Sequence, residues 1–121
     1  MREIKFRAFY KNKIRDVVSI DWRNEFCSVA KGFVEIPLKD INLMQYTGLK
    51  DNNGREVYEG DVLDIGLQNQ DGKPVVAPVS YEKYIAGYVL DNGGNGIWQR
   101  LDEDCEVIGN IYENPELLEV N

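Results

Sequence analysis

From Ile4 to Lys11 the side chains alternate: Ile4, Phe6, Ala8 and Tyr10 stand against Lys5, Arg7, Phe9 and Lys11. A period of two puts every second residue on one face of an extended strand and does not match the 3.6-residue stripe of a helix. The period returns at Val18, Ile20 and Trp22, after a polar Lys11-Asn12-Lys13 turn. Residue usage agrees, because Val, Ile, Thr and the aromatics number 36 against 15 for Ala, Leu and Met, a bias toward strands. Strands are therefore the expected building material of a chain whose 121 residues suit one domain.

Turn chemistry divides the chain into short extended pieces. Phe26 to Val29 and Phe33 to Ile36 flank Lys31-Gly32, a hairpin signal, and Pro37 closes it because proline cannot donate to a central ladder. Leu43 to Thr47 reads as a strand. Asn53-Gly54 offers the two positive-φ positions of a type I′ turn, and Arg55 to Tyr58 returns antiparallel. Glu59-Gly60-Asp61 makes a second reversal, with the Asp61 side chain as its cap, before a strand that starts at Val62. Residues 66–78, with Asp71-Gly72 and two prolines, read as an exposed excursion. Strand character resumes at Val79 to Tyr81, Gly87 to Leu90, Ile97 to Arg100 and Glu106 to Tyr112, the third of these after the loop tip Asp91 to Gly96. Asn114-Pro115-Glu116 then opens a short helix, with Asn as N-cap and Pro at the first helical position. The expected fold is all-β, a small partly open barrel or two packed antiparallel sheets with a short C-terminal helix, in one domain spanning 1–121. Tyr46, Tyr58, Tyr112, Trp22 and Trp98 are expected to fill its core.

The run Leu43-Met44-Gln45-Tyr46-Thr47-Gly48-Leu49-Lys50-Asp51, continued by Asn53-Gly54-Arg55-Glu56-Val57-Tyr58-Glu59-Gly60-Asp61-Val62, resembles the YopX family of phage and prophage proteins. The opening Arg2 to Ala8 and the closing Val107 to Leu118 are similar to that family's end motifs, in the same order, while residues 66–100 match less closely. The resemblance implies a small, β-rich cytoplasmic protein of phage or prophage origin, with self-association as one property. It supplies no catalytic residue.

The residues themselves narrow the chemistry. No histidine is present, which removes the usual neutral-pH base and every Ser-His-Asp or Cys-His arrangement. Cys27 and Cys105 lie 78 positions apart and form no zinc motif. They are expected to be free and buried, as in a reducing cytoplasm. The longest apolar run, Val75 to Val79, falls far below the roughly 18 residues of a membrane span, and the N-terminus lacks an export signal. Asp51-Asn52-Asn53-Gly54 starts like a calcium loop, but Glu56 stands where that loop needs glycine. Gly93-Gly94-Asn95-Gly96 precedes an apolar strand rather than the helix N-terminus of a phosphate cradle. Ser19, Ser28, Ser80 and Thr47 lie in no nucleophile elbow. No metal, cofactor or enzymatic activity is therefore expected. The acidic clusters Glu56, Glu59, Asp61, Asp64 and Asp102, Glu103, Asp104, Glu106 read first as turn caps and surface charge, with a small hydrolase as the remote alternative.

Charge is uneven. Residues 1–39 hold nine Lys/Arg against five Asp/Glu, and residues 40–121 hold five against sixteen. Lys5, Arg7, Lys11, Lys13 and Arg15, with Phe9 on the same outward face, form one basic patch with an aromatic in it. Such a patch suits either a protein partner or phosphate contacts with a stacked base. The leading expectation is a noncatalytic interaction module that binds a host or phage protein, with a homo-oligomer as one form. The alternative is a nucleic-acid-associated regulator using the basic first strand.

Overall fold

A computed structural model describes residues 4–30, 33–68, 70–82, 87–91, 98–100 and 104–118. Its strands are β1 Phe6–Tyr10, β2 Lys13–Asp21, β3 Phe26–Val29, β4 Phe33–Pro37, β5 Asn42–Lys50, β6 Glu56–Tyr58, β7 Asp61–Gln68, β8 Pro74–Glu82, β9 Gly87–Asp91, β10 Trp98–Arg100 and β11 Glu106–Asn110. They form a six-stranded sheet in the order β4-β3-β2-β1-β5-β6 and a five-stranded sheet in the order β10-β9-β8-β7-β11. The protein is all-β with two antiparallel sheets, as expected. Each sheet ends on two different strands and neither closes on itself, so the barrel form of the expectation is not the one adopted. The short C-terminal helix is a single 3-10 turn, Pro115–Leu118.

The chain divides into two compact units, 1–46 and 47–121, and the division falls within β5. In the first unit, β1 pairs with β2 and β5, and Ala8, opposite Arg15 and Leu43, is fully buried. The alternation of the first strand thus does what its period requires. Cys27, Val29, Ile36 and Ile41 complete this core, with Tyr10, Val17, Ile20, Leu38 and Leu43 packed against it. The expected inward set Val18, Ile20 and Trp22 is corrected by a shift of register between Val17 and Ser19. A bulge adds one residue and reverses the faces beyond it. Val17 and Ile20 therefore both reach the core and Val18 between them is 70% exposed, while Trp22, past the end of β2 in the turn, is 60% exposed. The Lys31-Gly32 tip lies outside the described residues.

The second unit has its own core of Val57, Leu63, Ala77, Val79, Leu90 and Cys105. The expected excursion over 66–78 is instead a long hairpin, with β7 opposite β8 from Val62↔Pro78 to Gln68↔Pro74 and a turn at Asp71-Gly72. Pro78 is tolerated within β8 because the register with β9 begins only at Val79, so proline interrupts no ladder bond on that side. Tyr46 and Tyr58 are buried and Tyr112 is half-buried, as expected of core aromatics. The Trp98 side chain and the loop tip at 92–97 lie outside the described residues.

Candidate interaction surface

The turn between β5 and β6 shows what the central motif does. Only Gly54 has positive φ there (+80°), so Asn53-Gly54 does not form the expected type I′ turn. Asp51 organises the turn instead. Its Oδ1 accepts the N–H groups of Asn53 (2.9 Å) and Arg55 (2.8 Å), and its Oδ2 accepts the N–H of Val107 on β11 (2.9 Å). Asn52 N–H donates to the Cys105 carbonyl, Arg55 Nη1 to the Val107 carbonyl and Asn53 Nδ2 to Glu106. The Asp51 and Arg55 side chains and the Asn52 N–H thus take the place of a neighbouring strand along the outer side of β11 and satisfy backbone groups that an edge would otherwise present unpaired. Burial works against the Asp51 charge, but the three backbone donors and the Arg55 guanidinium outweigh it and hold the carboxyl below its ordinary 3.8.

The remaining motif residues are engaged in the same way. Asp61, 1% exposed, accepts the Tyr58 N–H (2.8 Å), which is the capped reversal expected at Glu59-Gly60-Asp61. Thr47 Oγ1 donates to the Val57 carbonyl (2.8 Å), and Asp64 Oδ1 accepts the Gly66 N–H. In the closing motif, Asn110 Oδ1 accepts the N–H groups of Tyr112 and Glu113, and Asn110 Nδ2 donates to Glu113. Asn114 does not cap forward as expected: its Oδ1 accepts the Asn110 N–H behind it, and its carbonyl accepts the Leu117 N–H. Burial, then the nearby Glu59 charge, pushes the Tyr112 phenol up. Both cysteines are buried thiols outside any disulfide, and burial raises the Cys27 thiol. No three His, Cys, Asp or Glu side chains gather as a metal site among the described residues. Asp102, Glu103 and the Gly93 to Gly96 run lie outside them. No helix among them is long and apolar enough to cross a membrane.

The six residues of the expected basic patch do not share one face. Directly opposed residues of an antiparallel pair lie on the same side of the sheet. Arg7 faces Asp16 and Met44, and Phe9 faces Ile14 and Asn42, whereas Lys13 faces Tyr10 and Arg15 faces Ala8. Lys5, two residues before Arg7, places its Nζ 5.2 Å from the Tyr46 ring. Lys5, Arg7 and Phe9 therefore occupy one face and Lys13 and Arg15 the other, with Lys11 in the turn between the strands. Around Tyr10 a smaller cluster remains, formed by Lys11 (Nζ 5.5 Å from the ring centroid), Arg15 (Cζ 6.0 Å) and Lys13 across the ladder.

At the other end of β2 lies a surface that period-two reasoning places inside. Trp22 stands at the start of the β2–β3 turn and meets Phe6 edge-on (6.1 Å, 72°), with Val18 before it and the 38%-exposed Phe26 after it. The turn is held from within by Asp21, whose carboxylate accepts the backbone and side-chain N–H groups of Asn24 (3.0 and 2.9 Å), contacts that hold its carboxyl below the ordinary 3.8. Glu25, at φ 61°, completes the reversal. Val18 is exposed beside the inward Val17 at the bulge, Trp22 because it lies past the end of β2 in the turn, and Phe26 because it alternates with the buried Cys27.

The architecture is similar to that of protein EF1440 from Enterococcus faecalis, known from its crystal structure. The likeness has a TM-score of 0.68 at 24% identity and covers 98% of this chain and 100% of the other. No curated protein matches the chain. The YopX protein family model matches residues 4–119, taking in the strand β1, the Asp51 turn and the Asn110 to Leu118 closure that carried the resemblance, and the chain belongs to the YopX family.

Proposed function

We propose that the chain is a noncatalytic interaction module, of phage or prophage origin, that binds a host or phage protein through the aromatic turn of its N-terminal unit. One observation carries this: Val18, Trp22 and Phe26 are exposed on a single hairpin, and the turn is fixed by Asp21 and Asn24 rather than left loose. Exposed tryptophan on a preformed turn is the residue type that dominates interface energies, since it buries a large area at small cost in side-chain freedom. The engagement of Asp51, Asp61, Asp64 and Thr47 with the backbone supports this use over a hydrolase, because those groups already serve the fold. A second copy of the chain is one candidate partner.

Affinity capture from host lysate, compared between the unmodified chain, Trp22→Ser and Leu67→Ser, tests the proposal. Leu67 is 59% exposed and lies in the second unit, so it controls for general surface stickiness. A protein retained by Leu67→Ser and lost by Trp22→Ser is expected. Identical recoveries from both variants would overturn the assignment of this turn. Light scattering on the same variants reports whether the captured partner is the chain itself.

A further inference from the structure

The β1–β2 connection is a two-residue turn in which Lys11 (φ 49°) and Asn12 (φ 60°) both adopt left-handed backbone. That is the type I′ geometry whose twist matches antiparallel strands, and it favours Asn, Asp or Gly at both positions. Asn12 fits the preference. Lys11 does not, and a lysine held there carries local strain that Gly or Asn would relieve. The lysine therefore calls for a reason in its side chain.

That side chain joins a constellation. Lys11 Nζ and the Arg15 guanidinium both approach the Tyr10 ring, and Lys13 lies directly across from it. Arg15 Nε donates to the Tyr10 carbonyl (3.2 Å), which fixes the plane of the guanidinium at the tip. Lys11 and Lys13 are exposed and Arg15 is half-buried. From Ile4 to Arg15 the sequence holds five Lys/Arg and no Asp or Glu. We infer that the tip of the β1–β2 hairpin, with Lys11, Lys13 and Arg15 grouped around Tyr10, is a phosphate-contacting element for the backbone of duplex nucleic acid.

Strands β1 and β2 are flanked by β5 and β3 in the sheet, but Tyr10 to Lys13 lie beyond the last β1–β5 pair, Phe9↔Asn42, so the cations of this tip are placed to contact phosphates along the edge of a groove rather than to enter it. Arg adds paired donors in a plane and Lys adds point charges, which together suit phosphate oxygens. The acidic remainder of the chain repels the polymer, so the contact is weak and strongly dependent on salt. It is also separate from the aromatic turn. Nine residues of β2 at about 3.3 Å each place the two ends roughly 26 Å apart.

Fluorescence anisotropy with a labelled DNA duplex, titrated between about 50 and 200 mM salt, tests the inference. Three phosphate contacts predict a slope of log K against log salt near about −2.7, and Lys13→Gln lowers its magnitude by about 1. Lys11→Asn does the same while keeping a residue suited to positive φ, so it controls for folding. Trp22→Ser leaves the slope unchanged, which separates this site from the proposed protein interface. Absence of binding at the lowest salt, or slopes that neither lysine substitution alters, would overturn the inference. Polyglutamate that binds more tightly than the duplex and competes for the same lysines would assign the tip to acidic proteins and overturn it as well.

Discussion

Asp51→Ala removes the acceptor shared by three backbone N–H groups on two segments far apart in sequence, and its cost follows from the geometry. All three contacts are 2.8 to 2.9 Å and the residue is 5% exposed. A hydrogen bond to a charged group contributes about 1.5–3 kcal/mol, but three donors on one carboxylate are not additive, and water can reach the exposed turn once the side chain is gone. The expected loss is about 2–4 kcal/mol, or roughly 8–16 °C in melting temperature for a chain of this size. Thermal and denaturant unfolding followed by circular dichroism measure it. Asp64→Ala, which removes one exposed contact to Gly66, serves as the control and costs less than about 0.5 kcal/mol. The acid limb supplies a second readout. Because the Asp51 carboxyl is held below its ordinary value, its contribution is complete above the unfolded-state value of about 3.8 and disappears as pH falls through the lower folded value. Asp51→Ala therefore lies closest to the unmodified chain at the acid end and furthest below it near neutral pH. A variant that melts within about 0.5 kcal/mol of the parent at neutral pH would refute the idea that this turn clamps β11.

Further substitutions probe other joints. Gly109→Ala places a Cβ 2.6 Å from Asn114 Oδ1 and 2.8 Å from Leu117 Cδ1, so the C-terminal turn must move and unfolding free energy falls by about 1–3 kcal/mol. Thr47→Val keeps the shape but loses the donation to the buried Val57 carbonyl, and a loss of about 1–2 kcal/mol in denaturant unfolding is expected. Gly54→Val meets no neighbour but forces a β-branched residue to φ +80°, for a cost of about 1–2 kcal/mol in the same assay.

The parts of this fold that were legible in the sequence are those set by neighbouring residues. The first strand followed from its alternation, and the Asp61 cap from a Gly-Asp step ahead of an apolar run. The errors have physical causes of their own. A bulge carries no composition signal, so the period alone cannot tell that Val18 faces out between the inward Val17 and Ile20, nor that β2 ends at Asp21 and leaves Trp22 in the turn. Pro74, Pro78 and Gly72 make the β7–β8 hairpin look irregular in the sequence, because the register that sets Pro78 opposite Val62 and Pro74 opposite Gln68 leaves no mark in residue type. Residue preference points the type I′ turn to Asn53-Gly54, whereas Asp51 selects a different turn there and Lys11-Asn12 takes the I′ geometry with Lys11 against preference. The basic patch was half legible. Its charges are present, but the register of β1 on β2 divides them between two faces and leaves the cluster at Tyr10.

The residues that identify this family in the sequence are, in the structure, the side chains that stand in for missing strand partners and turn acceptors. Amide hydrogen exchange along the whole chain tests that claim most directly. The N–H groups of Asn53, Arg55, Tyr58, Val107 and Asn110 are donated to side chains of Asp51, Asp61 and Asn114 rather than to a ladder. They should exchange as slowly as the ladder amides of β7 and β8. Exchange at the rate of an unstructured peptide would contradict it, and the motif would then need another explanation.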